Sequence, residues 1–265
     1  MGSDEQATVV TRHRSTVTIG VSLKMYFGYD NTIRWCEVVR DIGRTHPAVT
    51  NESVELFVIP SYPALPRAKD LFVETRVGLG AQNLHWEDAG AFTGEVSGAM
   101  LAETGCKYVE VGHAERRRMF GETDAVVAAK TAAALRNGLV PIVCIGEPER
   151  RPGAESLLCC VQQLGSALSR SQAVGGPRII VAYEPIWAIG APEPAPVDHI
   201  RAMCAGLRAA VTAWPGFEAT IIYGGAAGPG LLGMLPDADG LFLGRSAHAP
   251  EALEAVLDEA LLLRQ

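Results

Sequence analysis

The feature that most constrains this chain is a set of short apolar, β-branched runs that recurs along its length. They read "VTIGVSL" (17–23), "VELFVIP" (54–60), "RVGLGAQ" (76–82), "KYVEVGH" (107–113), "VPIVCIG" (140–146), "RIIVAYE" (178–184), "TIIYGG" (220–225) and "GLFLG" (240–244). Each run is nearly continuous rather than strictly alternating, which is the pattern of strands covered on both faces of a parallel sheet. Between the runs lie segments with helical periodicity at 31–44, 123–138, 155–170, 197–214 and 250–264. Asn137-Gly138 makes a good helix stop, and Pro250 suits a first helical position. Strand and helix are read as alternating eight times, which predicts an α/β fold built on a parallel sheet. Eight units favour a closed (β/α)8 barrel over an open sheet. No GxGxxG follows the first strand, so an open dinucleotide-binding sheet lacks its phosphate loop.

No linker divides the chain, and its 265 residues suit one barrel. The expected organisation is a tail over 1–15 followed by one barrel domain over 16–265. Apolar residues make up 48% of the chain, enough for a large core. The net charge of −7 gives no general affinity for nucleic acid or an anionic membrane, so an anionic ligand needs a local cluster of donors. The six cysteines lack CxxC spacing and read as reduced, buried thiols of a cytoplasmic protein. No run approaches the ~18 apolar residues of a membrane helix, and the N-terminal stretch has no apolar signal core. No ligand cluster for a metal or redox cofactor is visible, so no cofactor is expected.

In such barrels the active site forms at the C-terminal ends of the strands. Reading those ends gives Lys24 after the first, His113 at the fourth and Glu184 at the sixth, with "YGG" (223–225) and "GRS" (244–246) after the last two. Each has a structural reading of its own. Lys24 is then a solvated surface lysine, His113 a satisfied core histidine and Glu184 a helix-start acid, while the glycines are ordinary turns. Structural needs do not require all of them at one rim, and that convergence favours a site.

The longer motifs carry a resemblance. "VAYEPIWAIG" (181–190), "YVEVGHAERRRMFGETD" (108–124), "AQNLHWEDAGAFTGEVSGAML" (81–101), "PIVCIGE" (141–147), "YGG" and "SLKMY" (22–26) resemble the triosephosphate isomerase family, in the family's own order from about residue 17 onward. The resemblance implies a TIM barrel that isomerises a small sugar phosphate. It implies Glu184 as the base beside the substrate carbonyl and His113 as the electrophile on the carbonyl oxygen. Lys24 becomes the cation for the anionic substrate, and Glu115 a support at the rim. The resemblance thus implies a carboxylate base paired with a neutral imidazole. "PIWAIG" resembles the family's lid. Gly190, Gly224, Gly225, Ala226 and Gly244 are the expected phosphate-loop positions. "GAFTGE" (90–95) resembles a loop that inserts into a partner subunit, so a homodimer is expected.

Departures from the family pattern lie around the substrate. Ser22 stands where asparagine is usual, Leu23 where tryptophan is usual and Ala114 where serine is usual. "APEPAP" (191–196) replaces the usual lid hinge. Ala226 replaces a serine and Arg245 a glycine. Arg245 is expected either to add a cation at the phosphate or to turn to solvent. A kept catalytic trio in altered surroundings implies the same proton transfer on a larger ketose phosphate. "GVSLKMYFG" (20–28) is similar to members acting on four-carbon erythrulose phosphates. A triose phosphate is the alternative substrate, and a barrel that binds sugar phosphate without turnover is the alternative of another class.

Overall fold

A computed structural model describes residues 16–263, so the expected tail over 1–15 lies outside the described residues. Eight parallel strands close into a barrel, each bonded to its sequence neighbours and the first to the last. They are β1 (Val17–Ser22), β2 (Val54–Ile59), β3 (Gly78–Ala81), β4 (Tyr108–Val111), β5 (Val140–Ile145), β6 (Arg178–Tyr183), β7 (Glu218–Tyr223) and β8 (Gly240–Leu243). Around them run α1 (Tyr29–Thr45), α2 (Pro47–Thr50), α3 (Leu65–Phe72), α4 (Gly98–Glu103), α5 (Ala114–Phe120), α6 (Asp124–Arg136), α7 (Gly153–Leu168), α8 (Val197–Val211) and α9 (Pro250–Leu262). The architecture is the (β/α)8 barrel expected from the runs.

The strict eight-fold alternation is corrected in one place. Between β7 and β8 the described chain makes only a 3-10 turn, Leu232–Met234. The segment "GGAAGPGLLGMLPDAD" (224–239) carries five glycines and two prolines, which rules out a regular helix there.

Side chains alternate between two cores, as the two-residue period of a strand requires. Leu56, Val58, Val109, Val111, Val143, Val181 and Tyr183 point outward into the layer against the helices. Phe57, Ile59, Tyr108, Ile142, Cys144, Ile180 and Ala182 point into the barrel. Leu23, at the position where tryptophan is usual, is buried in the outer layer. At the N-terminal mouth Arg178 Nη1 and the Tyr108 hydroxyl each donate to Glu55 Oε1 at 2.6 Å. Burial works against ionisation of Glu55, but these bonds outweigh it and hold its pKa down at about 2. These bonds join β2, β4 and β6 at that mouth. The cysteines form no disulfide, and all but Cys159 are buried.

Candidate active site

A cavity of about 340 Å³ opens at the C-terminal rim. It is lined by Ser22, Lys24, His113, Glu115, Glu184, Gly190, Gly224, Ala226, Gly244 and Arg245. Of the residues singled out in the sequence only Gly225 is absent from the lining. A Cβ there would meet the Tyr223 hydroxyl at 2.7 Å, so Gly225 gives room to the Tyr223 ring.

His113 is the N-cap of α5, and its Nδ1 accepts the backbone N–H of Glu115 at 3.1 Å. A nitrogen that accepts a proton donor cannot carry one, so the ring hydrogen belongs on Nε2. Burial, then the neighbouring Lys24 ammonium, push the His113 pKa down to about 4, and the ring is neutral at pH 7. Nε2 therefore presents a single N–H to the cavity, 3.4 Å from Glu184 Oε2.

Glu184 follows the last residue of β6, and its N–H is held by the Ile145 carbonyl at 2.8 Å. It is 5% exposed. Burial and the nearby Glu110 carboxyl push its pKa up to about 8, against the pull of Lys24. The backbone that carries it is seated against Gly146, where an added Cβ would lie 1.9 Å from the Glu184 carbonyl oxygen. Lys24 sits in the left-handed region, φ 49°, which is strained for a residue with a side chain. Its Nζ meets Glu115 Oε1 at 2.7 Å. Burial opposes its charge, but Glu115 and the other carboxylates outweigh that and raise its pKa. The site thus holds a carboxyl poised near neutrality, an N–H donor and a fixed ammonium, the parts required to move a proton beside a carbonyl.

The lid residues Ile189, Gly190, Ala191 and Pro192 line the same cavity. Their anchor was not legible beforehand. Fully buried Glu147 accepts from Trp187 Nε1 at 3.0 Å and from the Tyr183 hydroxyl at 3.2 Å, and its Oε1 lies 3.1 Å from His199 Nε2. On the far side, the Ala195 N–H donates to the Tyr223 hydroxyl at 3.0 Å, so the proline-rich "APEPAP" segment is tied to the strand that precedes Gly224 and Gly225. Arg245 does turn to solvent, but it also reaches back across the cavity. It is exposed at the mouth, and its Nη2 donates to the Gly190 carbonyl at 3.1 Å, bridging the lid to the turn after β8. Replacing Arg245 by alanine removes a charged bond across the cavity mouth. We expect a roughly tenfold rise in KM with kcat nearly unchanged, read by steady-state kinetics; an unchanged KM would contradict this.

Two further residues of the lining escaped the sequence reading. Arg118, exposed on α5, adds a cation at the mouth. Glu110, buried on β4, adds a second carboxyl inside it. The signal for Glu110 was available, since it is the lone acid in the apolar run of β4 and shares the inward parity of Tyr108.

The fold and this rim define a barrel enzyme that works by acid–base chemistry beside a carbonyl. The family model described as triosephosphate isomerase matches residues 17–260, and the chain belongs to that family. A protein of Pectobacterium atrosepticum named L-erythrulose-1-phosphate isomerase is 52% identical over 93% of this chain and 96% of its own length. A Rhizobium etli protein of the same name is 39% identical, with 91% of each chain covered. The triosephosphate isomerase of Thermus thermophilus is 39% identical over 82% of this chain and 89% of its own.

Proposed function

We propose that this protein interconverts L-erythrulose 1-phosphate and D-erythrulose 4-phosphate by moving a proton between adjacent carbons through an enediolate. Glu184 takes the proton from C3. The C–H pair forms the C2–C3 double bond, and the carbonyl pair moves onto O2. His113 Nε2–H and the Lys24 ammonium stabilise that oxyanion. The hydroxyl proton passes from O3 to O2, and Glu184 returns its proton to C2, leaving the carbonyl at C3. Glu115 holds both Lys24 and, through its own N–H, the His113 ring. Gly190, Gly224, Ala226, Gly244 and Arg245 form the phosphate end of the cavity.

The observation that carries this reading is the meeting of the neutral His113 donor, buried Glu184 and Lys24 over one cavity. The four-carbon substrate is favoured over a triose by the Pectobacterium relative and by Ser22, which is smaller than asparagine. The test is turnover of L-erythrulose 1-phosphate and glyceraldehyde 3-phosphate by the purified protein, side by side. A higher kcat/KM on the tetrulose supports the reading. A higher value on the triose makes the protein a triosephosphate isomerase, and turnover of neither leaves a sugar-phosphate-binding barrel.

The acid limb of kcat/KM should lie near pH 7–8, because Glu184 must lose a proton held at about 8 and shares the site with Glu110, held at about 7. A limb below pH 6 in a pH–rate profile would count against Glu184 as base. The same shifts have a consequence for stability. Both carboxyls sit above their ordinary 4.5, so the folded chain binds more protons than the unfolded one between 4.5 and about 8. Their contribution is full below 4.5 and is lost as pH rises through 8. Thermal melts should therefore show Glu184→Gln gaining on the native protein as pH rises.

The protein acts in the cytoplasm as a homodimer. Supporting this, Phe92 in the 90–95 loop is 40% exposed, with exposed Trp86 and Met100 nearby in sequence. Among the described residues no helix is long and apolar enough to cross a membrane. Sedimentation equilibrium should give twice the 28.2 kDa chain mass; a monomer would overturn the assembly.

A further inference from the structure

Resting on the four-carbon reading above, we propose that Glu110 is the specificity-determining residue of the site: held by Ser22, it accepts a hydrogen bond from the hydroxymethyl group that a tetrulose phosphate has and a triose phosphate lacks.

The starting point is an acid in an unexpected place. Glu110 lies within β4, paired in register with Ile142 of β5, and points into the barrel beside Tyr108 and Cys144. It is 3% exposed, yet it lines the cavity. An ionised carboxylate has about four acceptor sites, and leaving them empty in a dry interior is costly. Glu110 fills one well: the Ser22 hydroxyl donates to Oε2 at 3.0 Å. Its Oε1 has only long neighbours, Cys144 Sγ at 4.0 Å and His113 Nε2 at 3.8 Å. A buried acceptor that lines a cavity and is met at Oε1 by no stronger donor than the Cys144 thiol is suited to a donor on the ligand.

The position matches the chemistry. His113 Nε2 lies 3.4 Å from Glu184 Oε2 and 3.8 Å from Glu110 Oε1, so a substrate whose carbonyl meets that nitrogen is within reach of both carboxyls. Glu184 addresses the carbon that loses its proton. In a triose that carbon carries hydrogen where the tetrulose carries CH2OH. The additional hydroxyl is the donor that Oε1 lacks, and the small Ser22 leaves the room for it.

The carboxyl also discriminates against the shorter substrate. Above pH 7, where Glu110 is ionised, a carboxylate with no ligand donor beside the developing enediolate opposes the charge that the reaction creates. A hydroxymethyl donor offsets that opposition, and a triose cannot. Specificity then comes both from attraction of the right substrate and from a penalty on the wrong one. Sites built to bond a hydroxyl reject analogues lacking it far more strongly than sites that only sense size.

The test compares kcat/KM for L-erythrulose 1-phosphate and glyceraldehyde 3-phosphate in the native protein, Glu110→Leu, Glu110→Gln and Ser22→Ala. Glu110→Leu should lower the tetrulose-to-triose ratio by roughly a hundredfold or more, with triose turnover rising. Glu110→Gln keeps an acceptor of the same shape and should lose less. Ser22→Ala should shift the ratio in the same direction. Calorimetry with two unreactive ligands gives a second readout: erythritol 4-phosphate, which carries the extra hydroxyl, and glycerol 3-phosphate, which does not. The native preference for the first should disappear in Glu110→Leu. Should the leucine variant not fold, the glutamine and Ser22→Ala variants carry the test by the same ratio and the same ligand pair. Equal losses on both substrates, or a ratio unchanged in the variants, would overturn the role of Glu110 while leaving the four-carbon reading intact. A native protein that prefers the triose would instead overturn the four-carbon reading itself.

Discussion

Glu184→Asp will lower kcat by roughly a hundred- to a thousandfold while KM moves little, because it draws the base back by about one methylene. The backbone cannot follow to restore the reach. The Glu184 N–H is bonded to Ile145, and its carbonyl packs against Gly146 with no space for even a methyl group. The substrate's phosphate and carbonyl contacts are untouched by the change, so binding should persist. A KM rise with kcat preserved, in steady-state kinetics, would mean that Glu184 binds substrate rather than taking its proton.

Lys24→Met carries the second large effect, a fall in kcat/KM of roughly a thousandfold. Methionine keeps the length of the apolar stem and removes the ammonium. Three consequences follow from its contacts. The substrate anion loses a counter-charge, the oxyanion loses a stabiliser, and Glu115 is left half-buried without its 2.7 Å partner. With Lys24 gone, one of the influences that keep His113 neutral also goes, and its pKa should rise. Both kcat and KM should therefore worsen. A variant within tenfold of the native protein would place Lys24 outside the site.

The fold was legible because a parallel barrel writes itself as repeated apolar runs, buried on both faces. The same regularity misled at one point: the helix of the seventh unit, between β7 and β8, is absent from 224–239, where the spacing fitted but glycine and proline forbid it. Lys24, His113 and Glu184 were legible because they stand at strand ends, where barrel topology gathers them. Glu110 stands inside a strand run, and only the parity Tyr108-in, Val109-out, Glu110-in reveals that it faces the cavity. Glu147 and His199 were not legible at all. They meet Trp187 only through the docking of the lid against two strands and a helix, a contact that no local pattern encodes. Arg245 was seen, but its bond to Gly190 spans 55 residues of chain.

The most direct test of the proton transfer is the fate of the carbon-bound hydrogen in heavy water. L-erythrulose 1-phosphate incubated with the protein in D2O through many forward and reverse turnovers should, by proton NMR, lose the hydrogen beside its carbonyl to solvent deuterium in both ketose phosphates, and Glu184→Gln should abolish that exchange. Interconversion in which the hydrogen is never replaced, or exchange that survives in Glu184→Gln, would contradict an enediolate formed by this carboxylate.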